Sequence, residues 1–408
     1  MSRPYLGSSP SFGARSPGVD RAVGRGRVKP DGVSLRTLMG CNVFDGLRVL
    51  ISLVFVGAAW VPGAVAEDGG PPRVDDLVSA TFDRVAGHAA GGATLDTGEP
   101  GSWFAECVGS PTVDFDGERY RMWFVGGAKT DDPSVPYGLD ERIGLATSHD
   151  GIDWELANDG QPVLEPGPPG SADAKGLTHP YVLRVGKRWL MWYGAIDGRL
   201  AQDLNRSPAH VRVERISLAT SDDGIHWERQ NDGQPVLDIG PEGSIDSIQA
   251  TGMHVLKRDD GFVMWYGAYN GRHTIALATS PDGVHWSRAH AGQPLAGLVG
   301  GVQGQLGVSV YYDGSRFFMF YCGDRDNEWR MYGATSDDAF HWLRVRDAKP
   351  ILGPAPEGSF GTAGFGRNHS VHPSQFVVQG RRVRVWYTAE DGSPPHHQRI
   401  GLLEATLP

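Results

Sequence analysis

The segment "ISLATSDDGIHW", Ile216–Trp227, recurs along the chain with small changes. Its relatives are "IGLATSHDGIDW" at Ile143–Trp154, "IALATSPDGVHW" at Ile275–Trp286 and "MYGATSDDAFHW" at Met331–Trp342. Each begins with apolar and small residues that favour a β-strand and continues with Ser and Asp, mostly followed by Gly, which favour a tight turn. In such a turn the Ser and Asp side chains accept backbone N–H groups, so we interpret the segment as a structural turn and not as a reactive site.

A second recurring segment accompanies the first. It reads "SPTVDFDGERYRMWFVGG" from Ser110, and its relatives begin at His179, Gly252, Gly307 and His372. Each holds two runs of apolar, β-branched and aromatic residues around a turn, which predicts a β-hairpin. One hairpin and one turn segment together make four antiparallel strands. Five such repeats predict an all-β fold, a five-bladed β-propeller with four antiparallel strands per blade.

The two chain ends are predicted to share the last blade. The chain stops at "RIGLLEATLP", Arg399–Pro408, one strand short of a complete repeat. Phe82–Phe104 resembles the segments that follow the other turns, and Phe82 stands where the other copies have Trp. We therefore expect an N-terminal strand to close the last blade, which would remove an exposed sheet edge. The alternative, two separate β domains, predicts no such match.

The N-terminal part of the chain differs from the rest. A short apolar run, Val49–Val61, is followed by the small residues Ala64-Val65-Ala66, the order found in a secretory signal peptide. Residues 1–38 either extend that signal or precede a true start at Met39. We therefore expect a secreted or periplasmic protein, divided into a signal region, 1–66, a short linker, 67–78, and the propeller, 79–408.

Charge excludes two classes of partner. The chain has 38 Lys+Arg and 48 Asp+Glu, of which residues 1–66 hold 8 and 3, so residues 67–408 carry a net charge of −15. Such a surface repels phosphate groups, and we expect no nucleic acid partner and no membrane partner after signal cleavage. We expect a monomer. Cys107 and Cys322 fall in separate repeats, so we expect two separate thiols, with a bridge as the alternative.

Strand directions place the turn segments on one face and the long loops Lys129–Glu141 and Ile196–Glu214 on the other. Long polar loops on a rigid scaffold concentrate binding residues. Near the axis of that second face we expect these polar residues: Glu106, Ser110, Lys175, Thr178, His179, Gln249, Thr251, Gln305, Arg367, Asn368, His369 and His372. With Trp103, Tyr137 and Trp329 beside them, they suit a carbohydrate, an oligo- or polysaccharide whose apolar faces meet aromatic rings and whose hydroxyls hydrogen-bond.

The paired "MW(F/Y)" and "IGLATSxDGxxW" blocks, which span most of Ser79–Leu407, resemble those of the five-bladed propeller glycosidases. That group contains glycoside hydrolase families 43, 32, 68, 62, 117 and 130. The resemblance to family 43 implies two Asp and one Glu at the starts of the first three blades. The matching residues here are Ser110, His179 and Thr251, none of them acidic, so that mechanism cannot be transferred intact.

Other residues could supply the catalytic acid and base. Glu106 lies on the link into blade one, close to the expected axis. Asp173 and Asp246 occupy matching places on the next two links, where a structural cap is the alternative interpretation. His179 could act as an acid, as a similarity to the family 117 arrangement implies.

Blade five and the ends of the second strands hold further candidates. "GRNHSV", Gly366–Val371, is similar to a family 43 segment that places a His near a central cation. We therefore consider a Ca²⁺ or other cation near His369, with hydrogen bonding to the sugar as the alternative, and expect no other cofactor. Four carboxylates lie at the ends of the second strands of their blades, and their side chains could reach toward the propeller axis: Asp324, Asp326, Glu390 and Asp391.

Three functions fit this pattern. The leading hypothesis is a glycosidase with an atypical acid and base, in which His179 and His372 position the sugar. The second is a glycan-binding propeller that has kept the pocket and lost the acids. The third is a lyase or transferase that acts on an exported polysaccharide.

Overall fold

The computed structural model describes residues 70–298, 304–325, 328–353, 373–390 and 398–408. These residues form one short helix, α1, Val74–Ser79, and twenty strands. The strands are β1 Asp83–Val85, β2 Cys107–Phe115, β3 Tyr120–Lys129, β4 Leu139–Ser148, β5 Glu155–Leu156, β6 Gly176–Val185, β7 Arg188–Ile196, β8 Arg215–Ser221, β9 Glu228–Arg229, β10 Gln249–Arg258, β11 Gly261–Tyr269, β12 His273–Ser280, β13 Ser287–Arg288, β14 Gln305–Tyr312, β15 Phe317–Arg325, β16 Glu328–Ser336, β17 Leu343–Arg344, β18 Val377–Gln379, β19 Arg382–Glu390 and β20 Gln398–Thr406.

The strands form groups of four. β6–β9, β10–β13 and β14–β17 are separate four-stranded sheets whose neighbours follow chain order. The other strands form one eight-stranded sheet made of two groups of four, β2–β5 and β18–β20 with β1. The two groups are joined where β2 and β20 pair in parallel through one residue pair, Cys107 with Gln398. We call the groups that begin at β2, β6, β10, β14 and β18 repeats one to five. The all-β prediction is confirmed, and each repeat matches one of the recurring sequence units.

The turn between the third and fourth strands has the predicted structural role. In repeat two, Asp223 Oδ1 accepts the backbone N–H groups of Ile225 and His226, each at 2.8 Å. Ser221 Oγ accepts that of Gly224 at 2.8 Å, and Gly224 has a φ of +81°, a conformation that residues with a Cβ disfavour. The Asp bonds recur at Asp150, Asp282 and Asp338.

Tryptophan side chains join each of four repeats to the next. Trp123 of repeat one donates its Nε1–H to the carbonyl of Gly224 in the turn of repeat two at 2.9 Å, and its ring meets Trp227 edge-on. Equivalent bonds join repeats two to three, three to four and five to one: Trp192 to Gly283, Trp265 to Ala339 and Trp386 to Gly151. The four donor side chains are fully buried, so these bonds satisfy N–H groups that would otherwise be costly to remove from water.

The contact between repeats four and five uses a different pair. Repeat four has Phe320 at the Trp position, and Phe82 meets it edge-on with ring centroids 4.9 Å apart. Directly after Phe82, β1 pairs with β20, and Asp83 lies opposite Glu404. The N-terminal segment therefore supplies the fourth strand of repeat five, as the sequence predicts.

The segment predicted as a linker, 67–78, is partly helical. Val74 and Leu77 lie three residues apart on one face of α1 and are both fully buried in the core that includes β15. The Val74 N–H also donates to Asp313 Oδ2 at 2.9 Å. Burying each of these side chains contributes roughly 1.5–3 kcal/mol, which accounts for an ordered helix where the composition suggested a connection.

Two further expectations concern the cysteines and the membrane. Cys107 and Cys322 are both buried and are not joined to each other, as predicted. Burial raises the pKa of the Cys107 thiol to about 12. Among the residues that the structure describes, no helix is long and apolar enough to cross a membrane. The predicted signal region lies outside the described residues.

The contact between Phe82 and Phe320 predicts that Phe82→Ala lowers the free energy of unfolding by about 3–5 kcal/mol, because it leaves a cavity where repeats four and five meet. The matched control is Leu343→Ala, since Leu343 is 73% exposed and its loss should cost at most about 0.5 kcal/mol. Urea unfolding followed by tryptophan fluorescence measures both. An equal loss in the free energy of unfolding for the two variants would contradict a closing role for the N-terminal segment.

Candidate functional site

The first strand of repeats one to four is interrupted at the same place. Its pairing with the second strand breaks directly after Gly109, Thr178, Thr251 and Leu306. The next residue has a positive φ in each repeat: Ser110 +48°, His179 +47°, Gly252 +57° and Gly307 +57°. Glycine adopts this conformation freely, whereas Ser110 and His179 are held in it at a cost of about 1–3 kcal/mol each. Such held conformations concentrate at functional sites.

The interrupted strands meet at one pocket. Its lining comes from all five repeats, for example from Ser110, His179, Met253, Val308 and Gln375. None of the described residues that line it is Asp or Glu. Its polar side chains are neutral donors and acceptors, which suit the hydroxyl groups of a ligand.

His179 is the pocket residue best placed to move a proton. Its Nδ1 lies 3.2 Å from Thr251 Oγ1 and 3.8 Å from Glu214 Oε2, and Thr178 Oγ1 donates to the same carboxylate oxygen at 3.1 Å. Gly194 permits this crowding, because a Cβ there would lie 2.3 Å from Thr178 Oγ1 and 2.6 Å from Thr251 Oγ1. Burial lowers the pKa of His179 although Glu214 opposes the shift, so the imidazole is neutral at neutral pH.

Arg212 holds two carboxylates behind the pocket. Its Nε donates to Glu214 Oε1 at 2.7 Å, and its Nη1 donates to Glu141 Oε2. Gln249 Nε2 donates to Glu214 Oε1 at 3.3 Å and to the Arg212 carbonyl at 3.1 Å. The three charged side chains, which we call the Arg212 cluster, are at most 10% exposed. Charges this deeply buried are stable only when such partners replace water.

The shared guanidinium affects the two carboxyl groups differently. Burial opposes the ionisation of Glu214, but Arg212, His179 and hydrogen bonds outweigh it and lower the pKa of Glu214 from 4.5 to about 2. For Glu141 burial dominates, repulsion from Glu214 adds to it, and the pKa of Glu141 is raised despite Arg212. Glu141 is therefore the first of the pair to take up a proton as the pH falls.

Sequence reasoning missed the Arg212 cluster. Glu141 and Glu214 each stand two residues before the first buried Ile of a third strand, in "ERIGLATS" and "ERISLATS". A Glu at the same offset in the two repeats with long loops was an available signal. The strand registers place His273 and Trp329 at this position in repeats three and four. Arg212 lies in an irregular loop at no repeated position, so the repeat pattern gave no signal for it.

Glu106 and Lys175 occupy matching positions before the first strands of repeats one and two. Glu106 Oε2 lies 3.2 Å from Lys129 Nζ, and Lys175 Nζ lies 3.1 Å from Asp132 Oδ2. The Glu106 side chain is 23% exposed. Glu106 directly precedes Cys107, and its carboxylate contributes to the raised pKa of that thiol, after burial and Glu141.

Asp173 and Asp246 have structural partners. Asp173 Oδ2 accepts hydrogen bonds from Tyr193 Oη at 2.9 Å and Arg229 Nε at 2.8 Å, and its Oδ1 accepts one from Ser171 at 2.8 Å. Asp246 has the same set, at 3.0, 2.7 and 2.9 Å: Tyr266, Arg288 and Ser244. Both Asp residues are 1% exposed. These contacts fit the capping alternative and leave little room for a substrate.

In repeat one, apolar residues stand at all three positions of this Asp–Tyr–Arg set. Phe104 and Phe124 stand at the positions of the Asp and the Tyr, with ring centroids 6.3 Å apart, and Leu156 stands at the position of the Arg. An apolar set in the same place indicates that the position is used to fasten the link between repeats. The polar set in repeats two and three is then its hydrogen-bonded equivalent.

Trp103, predicted to contact the ligand, is a packing residue. Its Nε1 donates to the Gly160 carbonyl at 2.8 Å, and its ring stacks on Phe124 with centroids 5.8 Å apart. A Cβ at Gly126 or Gly144 would strike the ring. The glycines of the second and third strands therefore make room for Trp103 inside repeat one.

The other predicted residues divide into three sets. The structure brings Ser110, Thr178, Gln249 and Thr251 together around His179 and the Arg212 cluster. In repeat four, Gln305 is half-buried at the start of β14 and Asp324 is buried near the end of β15. Seven predicted residues or side chains lie outside the described part of the chain: Asp326, Arg367, Asn368, His369, His372, Asp391 and the side chain of Glu390.

Comparison with known sequences gives a short match. No family model matches the chain. The uncharacterized protein Rv1502 of Mycobacterium tuberculosis strain H37Rv is 33% identical over 114 residues, and MT1551 of strain CDC 1551 is 35% identical over 115. Each match covers 28% of this chain, which thus spans about a third, 34%, of the relatives' length.

Comparison with solved structures shows the fold. A structure from the glycoside hydrolase family 130 of mannoside phosphorylases, described as containing hydrolases that target β-1,2-mannosidic linkages in Candida mannan, is similar with a TM-score of 0.60. It is 16% identical, and the match covers 85% of this chain and 99% of that one. The β-1,2-mannobiose phosphorylase of Listeria innocua has a TM-score of 0.57 at 14% identity, covering 77% and 94%. At these identities the likeness is one of fold alone.

The Arg212 cluster predicts a pH-dependent defect in Arg212→Met. At neutral pH we expect a loss of about 3–5 kcal/mol in the free energy of unfolding, because two buried carboxylates lose their shared cation. Because the pKa of Glu214 is lowered in the folded protein, the ionised Glu214 stabilises the fold fully above pH 4.5. This contribution is lost as the pH falls toward about 2. The deficit of the variant should therefore shrink as the pH is lowered below 4.5.

Urea unfolding of Arg212→Met and wild type across this pH range measures the effect. The matched control is Arg142→Met, whose ion pairs with Asp140 and Glu165 are partly exposed, and which should cost at most about 1 kcal/mol. An equal cost for the two variants, or a deficit that does not change with pH, would show that the cluster does not stabilise the ionised Glu214.

Proposed function

We propose that this chain is a closed five-bladed β-propeller that acts on or binds carbohydrate. Closure is supported by five edge-on aromatic contacts, which link each repeat to the next and the fifth to the first. A single pocket lined by all five repeats supports it as well. The glycosidase and phosphorylase names of the similar folds support the carbohydrate part, by analogy of fold.

The observation that carries the proposal is the held conformation of His179. The interrupted strand turns a neutral imidazole toward the pocket, and Glu214 and Thr251 fix its orientation. Beside it, the side chains of Ser110 and Gln375 can donate and accept hydrogen bonds. A sugar ring presents hydroxyl groups that require such partners, and it carries no charge to be neutralised.

For the reaction we propose glycoside hydrolysis with proton transfer by His179 and Glu106. Hydrolysis needs one group to protonate the leaving oxygen and a second to activate water or attack the sugar. Glu106 is a partly exposed carboxyl group four residues before Ser110 of the pocket, and His179 is a neutral base at the pocket. Asp173 and Asp246 are left out, because Tyr and Arg side chains occupy their oxygens.

Glycan binding without catalysis is the second candidate. Two observations favour it. Arg212 forms salt bridges with both nearby carboxylates, Glu141 and Glu214, and no described carboxylate lines the pocket. In this version the Arg212 cluster serves to position His179, and the sugar is bound and released unchanged. No contact among the described residues favours a lyase or transferase.

We also propose that the protein is secreted or periplasmic and that a cation can bind at the centre of the propeller. Secretion or periplasmic location depends on the apolar run and small residues that end at Ala66. A cation at the centre of the propeller depends on His369, which lies outside the described residues.

The proposal predicts that the protein binds oligosaccharides on a mixed glycan array and that His179→Ala weakens this binding by about tenfold or more, through the loss of hydrogen bonds in the pocket. The matched control is His226→Ala, because His226 is 85% exposed on a turn of the other face. Thermal unfolding of both variants verifies that they fold. The absence of glycan binding by wild type, or equal binding by both variants, would overturn the proposal.

Release of reducing ends separates the two candidates. We expect hydrolysis by wild type and a loss of at least about 100-fold in Glu106→Gln, the scale of one acid or base group. Assays with and without inorganic phosphate distinguish hydrolysis from phosphorolysis, since some of the similar folds are phosphorylases. Binding without any bond cleavage selects the non-catalytic candidate, and cleavage that Glu106→Gln leaves unchanged removes Glu106 from the mechanism.

A further inference from the structure

Tyr137 is an aromatic side chain held at the surface. It is 60% exposed and lies in the long loop between β3 and β4. Its backbone has φ +64° and ψ 4°, a left-handed conformation that is costly for a bulky residue. Because more than half of this side chain is exposed, its burial offsets little of the cost of the backbone conformation.

The surroundings of Tyr137 fix its ring. The Tyr137 hydroxyl accepts the backbone N–H of Arg212 at 3.1 Å, and the Arg212 guanidinium lies 5.1 Å from the ring centroid. The loop itself is fastened to repeat two by the salt bridge between Asp132 and Lys175 at 3.1 Å. One face of the ring is thereby covered by a cation, and more than half of the side chain still faces solvent.

The ring lies close to the proposed sugar pocket. Arg212, which contacts Tyr137, also binds Glu214, and Glu214 in turn lies beside His179 in the pocket wall. Burial and, to a smaller extent, the Tyr137 phenol raise the pKa of Tyr269, the last residue of β11. From Tyr269 the aromatic packing continues inward, first to His273 at 4.5 Å and then to Trp329 at 5.9 Å from His273, and Trp329 is only 1% exposed.

We propose that Tyr137 is the platform of an outer sugar subsite, so that the ligand is a chain of sugars with one unit at His179 and another stacked on Tyr137. This inference depends on the proposed function, because it assumes that the pocket holds a sugar. The apolar face of a pyranose matches a flat, electron-rich ring, and a ring held rigidly before binding loses little conformational entropy. The substrate class that follows is an oligo- or polysaccharide, not a monosaccharide.

The inference predicts how affinity changes with chain length. In wild type, longer oligosaccharides should bind roughly tenfold more tightly than the monosaccharide of the same series. Tyr137→Asn should lose most of this ratio, because Asn tolerates the left-handed backbone and removes only the ring. Tyr137→Phe keeps the ring and should keep the ratio. Leu343→Asn removes another exposed apolar side chain, on the outer strand β17, and serves as the matched control.

The probes are length series of β-1,2-manno-, α-manno-, arabino- and xylo-oligosaccharides on an array, followed by titration of the series that binds. A ratio lost in Tyr137→Asn and kept in the other two variants supports the outer subsite. If wild type binds but its affinity does not depend on the length of the oligosaccharide, or if Tyr137→Asn keeps the ratio, there is no outer subsite at Tyr137. The proposed sugar pocket at His179 is not affected by that result. If wild type binds no member of any series, the proposed function falls and the subsite with it.

Discussion

A buried tryptophan N–H that needs an acceptor is the constraint on which the arrangement of the repeats depends. Trp123, Trp192, Trp265 and Trp386 each find that acceptor in the turn of a neighbouring repeat. Repeats one, two, three and five therefore each depend on a neighbouring repeat to accept the N–H of a core tryptophan, whereas repeat four has Phe320 at that position. The Ser and Asp of each turn shape the backbone so that one carbonyl faces the tryptophan of the preceding repeat.

The candidate site arises where the repeats stop being alike. The same interruption in the first strand carries glycine in repeats three and four, Ser110 in repeat one and His179 in repeat two. The shared geometry aims each position at the pocket, and the side chain decides what it can do there. Arg212 adds a second level of organisation, since it ties the loop that carries Tyr137 to the Glu214 that orients His179.

The fold was largely predictable, because the recurring turns and hairpins follow local rules, and even the match at Phe82 is a feature of sequence. The site was predictable only where it follows the repeat, as at Ser110 and His179. Arg212 could not be found this way, since its position depends on the path of an irregular loop. The packing of Trp103 likewise depends on distant residues, since glycines in two later strands, Gly126 and Gly144, leave space for its ring.

The pairing of β1 with β20 joins residues from opposite ends of the described chain. Repeats one to four contain all of their own strands, so they can form in the order of synthesis. The fifth is completed only when β20 can pair with β1, which lies more than 300 residues earlier in the chain. Completion of repeat five is thus a long-range event, whereas the strands of the other repeats pair with neighbours in chain order.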